Sequence, residues 1–576
     1  MRIFGCVLVS AMSLCALLRG APADTLIVRG ISGRPGGTLV YAQRAEPKSL
    51  NPLISADAAS REVIQRFTAD LIHINRLTQQ TEPALAKSWT VSRDGLHYTI
   101  ELRHGLRFSD GHPFDADDVV FSFQAYLDER VHSPQRDLLL IEGKPIAVRK
   151  LDAYRIALDL VAPYAAAERL FDGFAMLPRH LLWQAYQDGK LGDAWGLHTR
   201  ASEIAGLGPF RFREYVAGQQ LVLERNPYYW KADAAGTALP YLAAVDFTFA
   251  GSEDMQVARF QAGESDVISR ISARNFAILE REQARRGITL ADAGPGLEYS
   301  FLFFNLNELA RGTPVAARQA FFRRESFRHA VSMAIDRDAL VRLVYQGRAA
   351  ALSTPVPVGD KAWVNGALPR PARSVAEARR LLADDGFSWS ADGTLLDPAG
   401  TKVEFSIAVS AGNSDRVQMA TLIQDDLKPL GIAAHVAPLE FRSLLTRVLE
   451  THDYDACLMS LSEGDTDPNT NVPLWLSSAA NHVWQPEQRS PATPWEAEID
   501  SLMRRQMTVL DRNERKRLFD RVQAIAMQHL PLIPLVSPDI LVGARSALGG
   551  FRPATMEHYA LWNIEELHWK ASGPAR

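Results

Sequence analysis

The sequence predicts an α/β protein built from several domains. Its 576 residues exceed the roughly 250 to 300 residues at which a single hydrophobic core stops growing, so more than one core is expected. Residues 299–307 (YSFLFFNLN) are a continuous apolar run, as in strands buried on both faces. Helical periods follow at 325–334 and 336–345, and helices that alternate with strands are typical of a mixed sheet covered by helices.

Residues 1–23 have the pattern of an export signal. Residues 3–18 are almost wholly apolar, and an Ala-Pro-Ala step predicts cleavage after Ala23. A transmembrane anchor would need about 20 apolar residues, and Arg19 interrupts the run. A lipoprotein modified at Cys15 is the other alternative, but the residue before that cysteine is a large leucine. We therefore expect a soluble protein exported to the periplasm.

Charge and cysteine content exclude two classes of protein. The 63 basic and 67 acidic residues give a formal charge of −4 and are dispersed, so no basic face for nucleic acid is indicated. Of three cysteines, Cys6 and Cys15 leave with the signal, so the mature chain cannot form an internal disulfide. The remaining Cys457 lies in an apolar run and is predicted to be a small buried side chain.

Residues 206–230 predict a β-hairpin and an aromatic turn. Phe210 and Phe212 alternate with arginines, and Leu221 and Leu223 resume the two-residue period after a Gly-Gln step. This spacing predicts two strands with one apolar face. The following Asn-Pro step ends the hairpin, because proline removes a donor from the ladder.

The acidic residues Asp115, Asp117 and Asp118 predict the start of a helix. Asp115 is placed as the N-cap, and the helix dipole favours the other two carboxylates in the first turn. A paired-carboxylate catalytic site is the alternative interpretation. Capping explains all three residues without chemistry, so we reject catalysis there.

Several motifs occur in a fixed order along the chain. They are DGLHYT at 94–99, FSDGHPF at 108–114, GLGPF at 206–210, LERNPYYW at 223–230, LPYL at 239–242 and AGESDV at 262–267. Each alone is an ordinary hairpin, turn or strand. In this order they resemble the dipeptide- and oligopeptide-binding receptors of ABC importers, extracytoplasmic solute-binding protein family 5. The resemblance covers nearly the whole mature chain.

The resemblance implies a periplasmic-binding-protein type II fold (cluster C), with two lobes, a hinge and an inserted extra domain. The implied ranges are lobe I at 24–55, 190–268 and 537–576, an inserted subdomain at 56–189, and lobe II at 269–536. The two crossings between lobes are expected near 263–269 and 533–537, where few residues absorb the hinge rotation. The solute then lies between the lobes.

The resemblance also implies a transport receptor and not an enzyme. Such a receptor captures a peptide or peptide-like solute and, as a monomer, delivers it to the permease subunits of an ABC importer. A non-peptide solute, such as an oligosaccharide or a nickel complex, stays open as an alternative, and so does an exported hydrolase. We find no Gly-x-Ser-x-Gly elbow, phosphate loop, His-Glu-x-x-His motif or dinucleotide fingerprint, and we expect no catalytic residue, metal or cofactor.

The acidic loop at 461–468 (LSEGDTDP) is the predicted anchor for a peptide ammonium group. Peptide-binding relatives place an aspartate at a fixed distance before an acidic-residue-Pro step, and that spacing falls here on Gly464. Its neighbours Glu463 and Asp465 are the candidate anchors, and Asp467 completes the predicted binding loop. A solvated Asx-type turn is the structural alternative.

Seven further residues complete the predicted solute site: Gln43, Arg44, Glu46, Asn305, Phe441, Trp475 and Trp484. The first three follow the first strand, a segment that lies against the ligand in the family, and a solvated loop is their alternative. The aromatic residues are candidate side-chain pockets, with core packing as the alternative. The strand asparagine either points into the cleft or satisfies neighbouring backbone groups.

Overall fold

The computed structural model describes residues 24–309 and 313–570. The predicted export signal, with cleavage after Ala23 and the alternative lipidation at Cys15, lies outside the described residues. Among the residues described, no helix combines the length and the apolar character needed to cross a membrane.

An eight-stranded sheet forms the first lobe. Its strands in spatial order are Phe210–Val216, Gln220–Arg225, Ala244–Phe249, Thr38–Gln43, Val267–Ser269, Val536–Arg545 and Ile288–Pro295, with Ala349–Ala351 paired beside this path to Val536–Arg545. The predicted hairpin is confirmed, because Phe212 lies opposite Leu223 and both side chains are buried. The first lobe thus combines strands from both ends of the chain.

Helices with clear sequence caps pack on this sheet. They are Ala58–Phe67, Glu253–Ala262 and Ala273–Arg286. Ser252 and Ser272 accept hydrogen bonds from the backbone of the first turn of the second and third helix. Gly263 and Gly287 end the same helices with φ of 82° and 57°, a conformation that costs glycine little.

The inserted subdomain contains a four-stranded antiparallel sheet. Its strands in spatial order are Ala86–Val91, His97–Leu102, Arg155–Asp159 and Ala147–Asp152, and its helices are Ala116–Leu127 and Arg179–Gln187. The capping interpretation is confirmed, because Asp115 and Asp118 form a reciprocal capping box at the start of the first helix. Apolar side chains of this subdomain and of the first lobe belong to one continuous core.

A five-stranded mixed sheet forms the second lobe. Its strands in spatial order are Ala433–Leu439, Glu404–Ser410, Ala456–Ser462, Glu298–Phe304 and Leu532–Pro534. The predicted double-sided burial of the YSFLFFNLN segment is confirmed, since Phe301, Leu302, Phe303 and Phe304 are all fully buried. Its helices are Pro314–Phe322, Glu325–Ala334, Arg337–Leu343, Val375–Asp384, Ser414–Leu427, Phe441–Leu445, Val472–Trp475, Pro494–Thr508 and Arg512–His529.

The remaining strands of the described residues form short two-stranded pairs. They are Leu26–Val28 with Lys231–Asp233, Ile72–Ile74 with Thr81–Pro83, Leu140–Ile141 with Lys144–Pro145, Ser388–Trp389 with Leu395–Leu396, and Leu548–Gly549 with His568–Trp569.

The chain passes between the two sheets at two adjacent crossings. The first lies at residues 296–297, between Ile288–Pro295 and Glu298–Phe304, and the second lies at Leu535. The predicted first crossing near 263–269 is wrong, because Ile288–Pro295 pairs with Val536–Arg545 and keeps the chain in the first sheet. The range predicted for lobe II therefore begins too early, whereas Leu535 lies within the predicted 533–537.

Hydrogen bonds join the two crossings to each other. The backbone N–H of Gly296 donates to the Pro538 carbonyl at 2.9 Å. The hydroxyl of Ser537 lies 3.1 Å from the Gly296 carbonyl oxygen and 2.7 Å from that of Glu298. The two connections between the lobes thus form one hydrogen-bonded ribbon.

Candidate functional site

A cleft lies between the two lobes. It contains a cavity of about 300 Å³. The first lobe lines it with Arg44, Glu253, Arg270, Ile271 and Tyr559, and the second lobe lines it with Glu298, Tyr345, Asn413, Asp415 and Arg416. Arg348, just before the strand Ala349–Ala351, also lines the cavity. Both walls therefore present charged and hydrogen-bonding side chains to the enclosed space.

A second cavity, of about 240 Å³, adjoins the cleft on the side of the first lobe. It shares Arg44, Arg270 and Tyr559 with the cleft, and Gln43 lines its wall. The Gln43 side chain is buried, and its amide nitrogen has no hydrogen-bond partner. This nitrogen is thus a donor available to a bound molecule.

Arginine side chains link the walls of the cleft. Arg270 lies 2.9 Å from one carboxylate oxygen of Glu298, and Arg416 lies 3.2 Å from the other. Arg416 also donates to the hydroxyl of Ser460 at 2.9 Å. Because Arg270 belongs to the first lobe and Glu298 to the second, this chain of charges joins the lobes. Guanidinium groups held in this way can also donate hydrogen bonds to an anionic group of a bound molecule.

An apolar pocket of about 350 Å³ opens in the second lobe beside the cleft. Its apolar lining residues are Phe441, Leu444, Leu445, Leu449, Leu458, Met459, Leu461 and Val483. Arg416 lines both this pocket and the cleft, so the two spaces are adjacent. Phe441 is 52% exposed at the start of its helix, which is unusual for so large an apolar side chain.

The acidic loop is held by two arginines. Arg169 of the inserted subdomain forms a bidentate pair with the Asp465 carboxylate, in which Nε lies 2.5 Å from Oδ2. Arg169 also lies 3.2 Å from the Thr466 hydroxyl. Arg515 donates to both oxygens of Asp467, at 2.7 and 2.9 Å. The first pair joins the inserted subdomain to the second lobe, and the second pair lies within the second lobe.

The sequence matches a family model over residues 80–482. That model describes bacterial extracellular solute-binding proteins, family 5, and the match spans more than half of the chain. The chain belongs to this family.

Curated relatives of this receptor family align over most of the chain. A probable ABC transporter-binding protein of Deinococcus radiodurans is 28% identical over 88% of this chain and 87% of its own length. The oligopeptide-binding protein AppA of Bacillus subtilis is 24% identical over 97% of this chain and 96% of its own length. Both alignments extend over both lobes, in agreement with the family to which the chain belongs.

Solved structures of similar fold include NikA of Brucella suis in complex with Fe(III)-EDTA, with a TM-score of 0.77, 22% identity and coverage of 93% of this chain and 100% of NikA. AppA of Bacillus subtilis in complex with a nonapeptide has a TM-score of 0.69 and 23% identity, with coverage of 93% and 100%. These likenesses support the predicted binding-protein fold.

Two of the three residues predicted after the first strand line the cavities. Gln43 lines the cavity of the first lobe, and Arg44 lines both that cavity and the cleft. Glu46 instead accepts hydrogen bonds from the Tyr215 hydroxyl at 2.6 Å and from the Gly218 backbone at 2.7 Å. Glu46 therefore fastens the first-strand loop to the hairpin and does not line these spaces.

Asn305 and the two predicted tryptophans lie inside the second lobe. The Asn305 amide donates to the carbonyls of His452 and Tyr454, both at 2.8 Å, so it satisfies the backbone as the structural alternative foresaw. Trp475 and Trp484 are fully buried in the core, and the Trp484 indole donates to Glu496 at 3.1 Å. The prediction that these three residues face the cleft is wrong, because their burial is complete.

The loop residues divide into paired and unpaired carboxylates. Asp465 and Asp467 are held by arginines, whereas both carboxylate oxygens of Glu463 are buried without a hydrogen-bond partner. Burial, together with the charge of Asp465, raises the pKa of Glu463 to about 8 against the opposing effect of Asn471. Gly464, at the position where relatives carry their aspartate, is exposed.

The sequence analysis identified Arg44 but missed Arg270 and Arg416 of the cleft, as well as the partner of the acidic loop. Arg270, Glu298 and Arg416 belong to no recognisable sequence motif. The one signal for Glu298 is its position at the start of the buried strand Glu298–Phe304. Arg169 lies in a short turn at Ala167–Phe171 with no pattern that marks an ion pair 296 residues away.

A cluster of possible metal ligands lies in the inserted subdomain. Ligand atoms of Asp70, His73 and Asp172 lie within 4.8 Å of one another. Arg76 already lies 2.9 Å from Asp172 and neutralises that carboxylate. Burial opposes the protonated form of His73, but the carboxylates of Asp172 and Asp70, at 3.2 and 3.8 Å from its Nδ1, raise its pKa overall. These contacts favour an internal ion-pair network, and the expected absence of a metal stays a prediction.

Proposed function

We propose that the protein is the solute-binding receptor of an ABC importer and captures a peptide or peptide-like solute between its lobes. The observation that carries this proposal is a cleft lined from both lobes in a chain of the family 5 solute-binding proteins. Relatives named as peptide binders support the solute class, among them the dipeptide-binding protein of Pseudomonas aeruginosa. Delivery to permease subunits, a monomeric state, periplasmic localisation after cleavage at Ala23, and the absence of catalysis belong to the same proposal.

A partly unpaired strand supports an extended ligand. Ala456–Ser462 pairs with Glu298–Phe304 along its whole length, but with Glu404–Ser410 only as far as Leu458. Residues 459–462 therefore present a free edge within the described sheet. A strand edge of this kind pairs with the backbone of an added peptide, which satisfies backbone groups that cost about 1 to 3 kcal/mol each when left unpaired.

The pockets beside this edge suit a peptide's side chains and its carboxylate. Met459, Ser460 and Leu461 line the apolar pocket, so alternate side chains of an added strand can enter it. Arg416 stands between this pocket and the cleft and can meet a carboxylate of the solute. Anchoring of a free amino group by Glu463 or Asp465 stays a prediction, and Asp465 is already engaged by Arg169.

Native mass spectrometry of the protein purified from cells tests this proposal. We expect a mass excess that resolves, after denaturation, into short peptides. A single sugar or metal complex would overturn the peptide class and keep the receptor. Release of cleaved products from added oligopeptides with turnover would overturn the receptor in favour of a hydrolase.

A further inference from the structure

Two buried carboxylates without partners meet at the first crossing between the lobes. Glu463 and Asp360 each have both carboxylate oxygens buried and free of hydrogen-bond partners. Asp360 is fully buried. Within the described residues, no cationic side chain forms an ion pair with either group. Buried charges in proteins are normally paired with an opposite charge or coordinated to a metal, so this pair lacks the usual compensation.

The backbone brings these two residues to the same place. The N–H of Glu463 donates to the carbonyl of Leu297 at 3.1 Å. A Cβ atom at Gly359 would lie 2.5 Å from the carbonyl oxygens of Pro295 and Gly296, so the residue before Asp360 packs directly on the same crossing. Asp360 and Glu463 therefore approach residues 295–297 from different segments of the chain.

A hydroxyl group without a partner adds a second type of ligand atom. The Tyr299 hydroxyl is fully buried and makes no hydrogen bond. Tyr299 lies opposite Leu461 on the neighbouring strand, so its side chain and that of Glu463, two residues after Leu461, lie on the same face of the sheet. Tyr299, Asp360 and Glu463 therefore all lie at the first crossing, and their side chains offer only oxygen atoms as ligands.

The charges of the carboxylates at this crossing indicate which kind of ligand would bind there. Four carboxylates lie at this crossing or on the loop beside it: Asp360, Glu463, Asp465 and Asp467. Arg169 and Arg515 pair with the last two. Asp360 and Glu463 have no cationic partner among the described residues, and in their deprotonated forms the two would carry a charge of −2, which one divalent cation would neutralise. Hard divalent cations prefer carboxylate, hydroxyl and carbonyl oxygens.

We propose that Asp360 and Glu463, together with the Tyr299 hydroxyl, bind a divalent cation of the calcium type at the crossing between the lobes. This site goes beyond the proposed receptor function and differs from the expectation of no metal. A cation here would fasten the loop 463–467 and the Asp360 segment to the first crossing. It would act on the lobe arrangement whether or not a solute is present.

Calcium binding to the purified, chelator-stripped protein tests the site. We expect one Ca²⁺ per chain by equilibrium dialysis, and a rise of about 3 °C or more in the unfolding midpoint at saturating Ca²⁺. In Asp360→Asn and in Glu463→Gln, calcium affinity should fall at least about tenfold. Asp137→Asn, which removes a carboxylate that is 89% exposed, is the matched control and should keep wild-type binding.

Each alternative result has a defined meaning. No calcium bound at millimolar concentration, or binding unchanged in both amide variants, overturns the site. If the amide variants lose solute binding while calcium binding is unchanged, the two carboxylates serve a protonated amine of the solute and the metal proposal fails. The amide variants should be at least as stable as the wild type in chelator, so loss of folding does not mimic the expected result. The receptor function is tested separately through its co-purified solute.

Discussion

Two of the ion pairs that join the second lobe to the rest of the described chain differ in burial. Arg270 and Glu298 line the cleft and are 52% and 23% exposed, whereas Arg169 and Asp465 are 16% and 19% exposed. Exposed pairs contribute about 0 to 1 kcal/mol, and breaking a buried pair costs about 3 to 5 kcal/mol. The difference indicates that the contact between Arg169 and Asp465 favours the closed arrangement of the lobes. In the cleft, replacing the contact of an arginine with Glu298 by a contact with a solute should cost little free energy.

The largest effect is expected for the most buried pair of the acidic loop. Asp467→Asn should lower the free energy of unfolding by about 3 to 5 kcal/mol, because Arg515 is then left buried without its partner. Chemical unfolding followed by tryptophan fluorescence measures this change. Asp338→Asn, which breaks an exposed pair with Arg370, is the control and should cost less than about 1 kcal/mol. Equal effects of the two variants would show that Asp467 has no structural role.

Removing the contact with the inserted subdomain should open the lobes. Arg169→Ala should weaken the closed form by about 2 kcal/mol, between the values for exposed and buried pairs. Small-angle scattering without solute should then give a larger radius of gyration. The double variant with Asp465→Ala should open no further, because both changes remove one pair. If Asp465 is instead a solute anchor, Arg169→Ala should raise solute affinity and the double variant should abolish that gain.

A smaller effect on stability is expected in the cleft. Arg270→Ala should change the free energy of unfolding by less than about 1 kcal/mol, since its partner contact is half exposed. Under the proposed function, affinity for a solute with a carboxylate should nevertheless fall, as measured by calorimetry. Arg274→Ala, which removes a more exposed guanidinium paired with Asp254, is the charge-matched control and should leave affinity unchanged.

The smallest effect on stability is expected for the exposed aromatic residue of the apolar pocket. Phe441→Ala should alter stability by no more than about 0.5 kcal/mol, because half of the ring is already in solvent. Affinity for peptides with large apolar side chains should fall, while affinity for alanine peptides should not. Leu343→Ala, at a similarly exposed position outside the pocket, is the control. Identical losses for both classes of peptide would contradict a side-chain pocket here.

Local patterns predicted much of the fold, and long-range pairing limited the rest. The hairpin at Phe212 and Leu223 and the capping box at Asp115 depend on residues close in sequence, and both are confirmed. The first crossing was misplaced because the strand Ile288–Pro295 joins its sheet by pairing with Val536–Arg545, far along the chain. No local period contains that information.

The same limit applied to the candidate site. The sequence identified the acidic loop, but it could not show that Arg169 neutralises Asp465 from another subdomain. Tryptophan is a residue type that often lines ligand pockets, so Trp475 and Trp484 were reasonable candidates. The packing of the second lobe shows that both are buried in its core. The sequence thus marked the loop as a candidate site, whereas burial and pairing show which of its carboxylates are already engaged.

The hydrogen bonds between the two crossings limit how the lobes can move. Two separate strands could bend, twist and slide past each other independently. Because Ser537 and Pro538 bond to residues 296–298, sliding would break these bonds while bending across the ribbon preserves them. The lobes should therefore rotate about one shared hinge axis. A solute that enters the cleft would then be enclosed by the same rotation, with the two walls in the same relative position, in each closure.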